Sequence, residues 1–101
     1  MIVAVDFDGT LAVTDYPEII SPITETINFC KKRKSKGDTL ILHTCREGKP
    51  LEDAVKWCEK QGVTFDYVNE NTKEKIAEYG DSRKIYADVY VDDHNILVCQ
   101  L

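Results

Sequence analysis

The chain has few of the residues that mark a disulfide scaffold, a zinc protein or a membrane protein. Its four cysteines, Cys30, Cys45, Cys58 and Cys99, form no CxxC pair and have no zinc-finger spacing with the two histidines. We therefore expect reduced thiols, mostly in the core, as in a cytoplasmic protein. No apolar run approaches the length of a membrane span, and the amino terminus lacks the basic and long apolar regions of a signal peptide.

Positive charge is also scarce. Thirteen lysines and arginines stand against 18 aspartates and glutamates, which gives a formal net charge of −5. This balance argues against general attraction to nucleic acid or to an anionic membrane, so nucleic acid is expected at most as a substrate. It is compatible with a small phosphorylated ligand held by a metal ion and a few local cations.

Apolar periodicity predicts one domain, residues 1–101, in which strands alternate with helices. The predicted strands are Ile2–Val5, Leu40–His43, Val63–Val68 and Ala87–Val91. One helix is predicted to start at Ser21-Pro22, and the others span Leu51–Gln61 and Lys73–Tyr79. Residues 11–20 are expected to form a loop or short flap, and residues 47–50 a turn. This alternation predicts an α/β fold with a mainly parallel sheet covered on both faces.

Polar residues follow three of the predicted strands at the points where those strands end. Asp6 and Asp8 follow the first strand in the stretch MIVAVDFDGTL, Thr44 follows the second, and Asp92 and Asp93 follow the fourth. A lone DxDG is commonly a solvated turn that closes a strand. Because the carboxyl ends of parallel strands meet at one edge of a sheet, we expect four carboxylates and a hydroxyl to converge there.

This set of side chains suggests phosphate chemistry. Clustered carboxylates call for a hard cation, and oxygen ligation with retained waters suits Mg²⁺. A cation and a lysine offset the negative charge of phosphate, and a hydroxyl donates a hydrogen bond to it. From the residues alone, Asp6 is a nucleophile or a metal ligand, while Asp8 carries a proton; the residues do not choose between these roles.

The succession hhhhDxDGT, hhhhT, a lysine and hhhDD, which runs from Ile2 to Asp93, resembles the haloacid dehalogenase (HAD) superfamily of phosphatases and phosphotransferases. The resemblance implies a three-layer, Rossmann-like fold and a Mg²⁺-dependent phosphomonoesterase. Asp6 would be the nucleophile that forms an aspartyl phosphate, and Asp8 the general acid and then the general base. Asp6, Asp92 and the backbone carbonyl of Asp8 would hold Mg²⁺, with Asp93 helping directly or through water.

The resemblance also implies which groups bind the phosphoryl oxygens. Thr44 would donate a hydrogen bond to them, and Gly9 would permit the tight turn beneath the phosphate. Family members carry the lysine either at the start of the last crossover helix, which favours Lys73, or in the loop before the DD strand, which favours Lys84. We choose Lys84.

Three residues near the motifs have less defined roles. Arg46 is expected either to touch the substrate or to be a solvated loop cation. His43, at the end of a predicted strand, is expected to be a core or sheet-face residue. His94 is assigned no role.

The intervals between the motifs leave no room for a cap domain. A flap and one helix–strand unit fill the chain from Asp8 to Thr44, and a helix, a strand and a short helix fill it from Thr44 to Lys84. A cap excludes water and selects small substrates. Its absence predicts that a large substrate, or a neighbouring subunit of a homo-oligomer, covers the site. Two alternatives stay open: phosphotransfer to an acceptor other than water, and a regulatory module that binds phosphate and Mg²⁺ with little turnover.

Overall fold

The computed structural model describes residues 1–80 and 85–93, and across these residues the chain forms six strands and three helices. In chain order they are β1 (Ile2–Val5), β2 (Ala12–Asp15), β3 (Glu18–Pro22), α1 (Thr24–Ser35), β4 (Thr39–Leu42), α2 (Gly48–Lys60), β5 (Tyr67–Val68), α3 (Lys73–Tyr79) and β6 (Val89–Val91). The main sheet has the order β5-β4-β1-β6, and its pairings are parallel. The predicted parallel α/β arrangement is therefore confirmed, and it is Rossmann-like.

The path of the chain across the sheet reverses once. It runs from β1 through α1 to β4 and through α2 to β5, then returns through α3 to β6 on the other side of β1. Right-handed crossovers place α1 and α2 on one face of the sheet and, after the reversal, α3 on the other. The carboxyl ends of β1 and β6 therefore lie side by side, where open α/β sheets bind their ligands.

Alternation of side chains along the strands builds one apolar cluster on each face of the sheet. The larger cluster joins strand residues to α1 and α2 and includes Val3, Val5, Leu40, Leu42, Ile27, Cys30, Ala54 and Cys58. The smaller cluster, on the second face, contains Ala4, Ile41, Ile85 and Ala87. No residue of α3, which the structure describes in full, is buried. The first face thus contains most of the core, and the second face has a thin cover.

The flap is more regular than the sequence predicts. Within residues 11–22 the chain forms an antiparallel hairpin of β2 and β3, called the flap below. Ser21 and Pro22 pair with β2, so the prediction that they begin a helix is wrong; α1 begins at Thr24. Serine followed by proline suits a helix start, but proline is equally tolerated at the edge of a sheet. Pairing with β2, which local sequence does not reveal, decides between the two.

Other element boundaries differ by a few residues. The predicted turn at residues 47–50 is wrong in part, because α2 already begins at Gly48. Pro50 is tolerated there since backbone N–H groups in a first helical turn have no partner within the helix. The α3 prediction is confirmed: Thr72 Oγ1 accepts a 3.3 Å hydrogen bond from the Lys75 backbone N–H, and the helix ends before Gly80. β5 and β6 are shorter than predicted.

The described cysteines are free thiols, and two of the three are buried. Cys30 and Cys58 are buried, Cys45 is exposed, and Cys99 lies outside the described residues. Burial raises the pKa of the Cys30 and Cys58 thiols to about 12, so both are protonated at neutral pH. Within residues 1–80 and 85–93, the helices are too short or too polar to cross a membrane.

The fold predicts which apolar truncations are costly. Leu40 is 0% exposed and belongs to the first-face cluster, so Leu40→Ala should lower the free energy of unfolding by about 2–5 kcal/mol. Ile20 is 62% exposed on the flap, so Ile20→Ala should change it by no more than about 0.5 kcal/mol. Urea denaturation followed by circular dichroism measures both values, and equal losses would contradict this description of the core.

Candidate functional site

The chain turns sharply after β1. The Phe7 carbonyl accepts backbone hydrogen bonds from Thr10 (3.2 Å), Leu11 (2.9 Å) and Ala12 (3.3 Å), and the Gly9 N–H donates to the Ala12 carbonyl at 2.9 Å. The Phe7 side chain is fully buried and fastens this turn to the core. The two carboxylates of the motif therefore leave the sheet on a short, internally hydrogen-bonded segment.

The backbone conformation at residue 9 explains why it is glycine. Its φ of +79° lies in the left-handed region that favours glycine. A Cβ built on Gly9 would lie 3.4 Å from Asp93 Oδ2, within van der Waals contact. Gly9 thus lets the motif turn approach the acidic end of β6; whether it also contacts phosphate stays a prediction.

Four carboxylates meet at the carboxyl edge of the sheet. The Asp6 backbone N–H donates to the Val91 carbonyl at 2.9 Å, which joins the end of β1 to the end of β6 just before Asp92. Burial raises the pKa of Asp6, and repulsion from the carboxylates of Asp93, Asp8 and Asp92 raises it further, against a backbone hydrogen bond from Phe7. The residues that the sequence placed at separate strand ends are therefore neighbours in the structure.

Thr44 is held from two sides. Its backbone N–H donates to Asn69 Oδ1 at 2.8 Å, and its Oγ1 accepts a hydrogen bond from the Arg46 backbone N–H at 3.1 Å. The side chain is nearly buried, with 9% of the residue exposed. Because a hydroxyl also has a hydrogen to donate, Thr44 can still donate to a ligand oxygen. Asn69, which sequence reasoning missed, fixes this residue from the loop after β5.

These groups face an open cleft, called the acidic cleft below. Its volume is about 490 Å³. The residues that line it come from the ends of β1, β4 and β6: Ala4, Asp6, His43, Thr44, Cys45, Tyr90, Val91, Asp92 and Asp93. His43 is exposed in this cleft, so the expectation of a core position is wrong and that of a face position holds. The cleft has room for a phosphoryl group and part of a larger substrate.

Asp8 is held by an arginine that the sequence did not connect to it. Arg46 Nε donates to Asp8 Oδ2 at 2.9 Å, and Arg46 Nη2 donates to Asp8 Oδ1 at 2.7 Å. Thr14 Oγ1, on the flap, donates to Asp8 Oδ1 at 2.8 Å. The hydrogen bonds from Arg46 lower the pKa of Asp8, with help from Thr14 and against its partial burial. Asp8 is therefore a carboxylate at neutral pH.

The Arg46 side chain is buried and is not a solvated cation. The residue is 2% exposed, and its guanidinium carbon lies 4.8 Å from the centroid of the Phe7 ring and 5.0 Å from that of Tyr16. The expectation of a solvated loop cation is therefore wrong, and contact with a substrate stays a prediction. The pairing joins residues 38 positions apart, and no local pattern around Arg46 indicates it.

The lysine prediction is not settled by this geometry. Lys84 lies outside the described residues, as does His94. Lys73 is exposed at the first position of α3, and its backbone N–H donates to the Tyr67 hydroxyl at 3.3 Å. Which lysine serves the cleft stays a prediction.

The cleft fits a hard cation by its chemistry. Within residues 1–80 and 85–93 no group of three histidine, cysteine, aspartate or glutamate side chains is arranged as a metal-binding cluster. Asp6, Asp92 and Asp93 are nevertheless close enough to repel, which is the condition that a cation relieves. These oxygen donors match the preference of Mg²⁺.

One solved structure resembles the chain along nearly its whole length. A conserved protein from Bacteroides thetaiotaomicron matches it with a TM-score of 0.83 and 38% sequence identity. The match covers 95% of this chain and 78% of the Bacteroides chain. No family model matches the chain, and no curated protein matches it.

Repulsion at Asp6 predicts that Mg²⁺ stabilises the fold. At tenfold above its Kd, the ion should add about 1.4 kcal/mol to the free energy of unfolding. That gain should raise Tm by about 5–10 °C in a domain of this size. Thermal unfolding with and without MgCl₂ measures the shift, and the Asp92→Asn/Asp93→Asn double variant should lose most of it. An unchanged Tm in the wild-type chain would count against the metal site.

Proposed function

We propose that this chain, which belongs to the same family as the conserved Bacteroides thetaiotaomicron protein, is a Mg²⁺-dependent phosphomonoesterase of the haloacid dehalogenase type. The observation that supports this proposal best is the position of Asp6. Its half-buried carboxylate lies in the acidic cleft together with Thr44, Asp92 and Asp93. A nucleophilic carboxylate, an acidic metal site and a hydrogen-bond donor are the parts that this reaction needs.

The first half of the proposed reaction is attack by Asp6. An Asp6 carboxylate oxygen bonds to phosphorus as the ester P–O bond breaks, and the leaving oxygen takes a proton from the protonated form of Asp8, which is the minor form at neutral pH. The product is an aspartyl phosphate on Asp6 and a free alcohol. Asp6, Asp92 and the Asp8 backbone carbonyl would hold Mg²⁺, with Asp93 helping. When bound, the ion would offset the charge of Asp6 and of the phosphoryl oxygens.

The second half is hydrolysis of the aspartyl phosphate. Asp8 takes a proton from a water molecule, the water oxygen bonds to phosphorus, and the bond to Asp6 breaks to release phosphate. The pairing with Arg46 holds Asp8 in its carboxylate form, which favours its role as the base. Substrates with good leaving groups need less help from an acid in the first half, so aryl phosphates suit a first assay.

Substrate binding is proposed to use Thr44 and a lysine. The Thr44 hydroxyl would donate to a phosphoryl oxygen, and Lys84 would supply an ammonium group. The acidic cleft is open, and the chain between Asp8 and Thr44 contains the flap, α1 and β4 in place of a cap domain. We therefore propose that a large substrate, or a second copy of the chain, covers the cleft during turnover.

The test is turnover of an aryl phosphate in the presence of Mg²⁺. Asp6→Asn removes the nucleophile and should lower kcat by roughly 10³-fold or more. Asp53→Asn is the matched control, because Asp53 pairs with Lys49 on the exposed side of α2. Equal rates in the wild-type chain and Asp6→Asn would reject the proposal. Mg²⁺-dependent binding of phosphate without turnover would favour a regulatory module instead.

A further inference from the structure

We propose that Arg46 is a positioning residue that fixes the Asp8 carboxylate and fastens the flap beside the acidic cleft. The inference rests on the proposed function, since it assigns how Asp8 is held for proton transfer. Arg46 donates two hydrogen bonds in a fork to the two oxygens of Asp8, at 2.9 and 2.7 Å. A planar guanidinium that binds both oxygens fixes the orientation of a carboxylate as well as its position.

The remaining donors of Arg46 join two other elements. Nη1 donates to the Pro17 carbonyl in the turn of the flap and to the Pro50 carbonyl in the first turn of α2, each at 3.2 Å. Thr14, also on the flap, donates to Asp8. The flap is therefore attached to the motif turn through both Arg46 and Asp8. Displacement of the flap would break the Thr14–Asp8 and Arg46–Pro17 hydrogen bonds.

The Arg46 side chain is enclosed by other parts of the protein. Its side chain is 1% exposed, and the guanidinium contacts the rings of both Phe7 and Tyr16. Cation–π contacts of this kind strengthen when water is excluded. Arg46 is also absent from the residues that line the described part of the acidic cleft. Its effect on the reaction must therefore pass through Asp8.

The backbone of Arg46 provides a way to separate this role from phosphate binding. The Arg46 N–H donates to Thr44 Oγ1, and a side-chain substitution leaves this main-chain contact in place. Loss of the guanidinium should therefore disturb Asp8 while Thr44 keeps its position. Lysine retains the charge but has a single ammonium, which does not satisfy the fork on Asp8 together with the Pro17 and Pro50 carbonyls.

The first experiment compares Arg46→Lys and Arg46→Met with the wild-type chain, using aryl phosphate turnover and inhibition by inorganic phosphate. Arg33→Lys is the matched control, because Arg33 also pairs with an aspartate, Asp38, but at the amino end of β4. Both Arg46 variants should lose about 10–100-fold in kcat. The inhibition constant of inorganic phosphate should stay within about 3-fold of the wild-type value. Loss of the guanidinium weakens stabilisation of the transition state through Asp8 but leaves ground-state binding of phosphate at Thr44 in place.

The second experiment measures hydrogen exchange of the flap amides and needs no activity. Arg46→Lys should speed exchange in residues 12–22, and Arg33→Lys should not. Unchanged kcat in Arg46→Lys would overturn the positioning role. A parallel loss of kcat and phosphate binding, with a large fall in Tm, would show a general structural role and also overturn it. An inactive wild-type chain would reject the proposed function, and unchanged flap exchange would then reject this inference as well.

Discussion

Repulsion among carboxylates at one edge of the sheet is the constraint on which the account of this protein depends. β1 lies between β4 and β6, so Asp6 has Asp92 and Asp93 on one side and Thr44 on the other. Burial makes a negative charge more costly. We propose that the charge is offset in two ways. Asp8 has Arg46, and the remaining carboxylates face an open cleft that a cation and a phosphoryl group can enter.

The two aspartates of the motif, Asp6 and Asp8, have different electrostatic surroundings. Asp6 is left among like charges, which raise its pKa beyond the effect of burial. Asp8 is fixed by Arg46 and Thr14, which lower its pKa. Titratable groups whose surroundings push their pKa values apart commonly divide the labour of catalysis. Only Phe7 separates the two residues in the sequence, yet their surroundings come from different parts of the fold: the end of β6 for Asp6, and the loop after β4 with the flap for Asp8.

Local sequence predicted the features that depend on neighbours in the chain. The apolar run before Asp6 indicates a buried strand, and Thr72 with Gly80 marks the ends of α3. The alternation of strands and helices indicates a parallel sheet, and this places the carboxylates at one edge. Features that depend on pairing between separate segments were missed. The flap became a hairpin because β2 and β3 pair, and that pairing also moved the start of α1 past Ser21 and Pro22.

The largest error concerns Arg46 and has the same physical origin. A charged residue in a polar loop is usually solvated, and nothing near it in the sequence reveals a partner 38 residues away. We propose that Asp6 forms a covalent bond to phosphorus, and a search for that bond tests the proposed reaction. Wild-type and Asp8→Asn chains would be mixed rapidly with an aryl phosphate and Mg²⁺, quenched with acid and digested for mass spectrometry. We expect one phosphoryl group on Asp6, and more of it in Asp8→Asn because breakdown needs the base. Turnover with no phosphorylated Asp6 in either chain would contradict it.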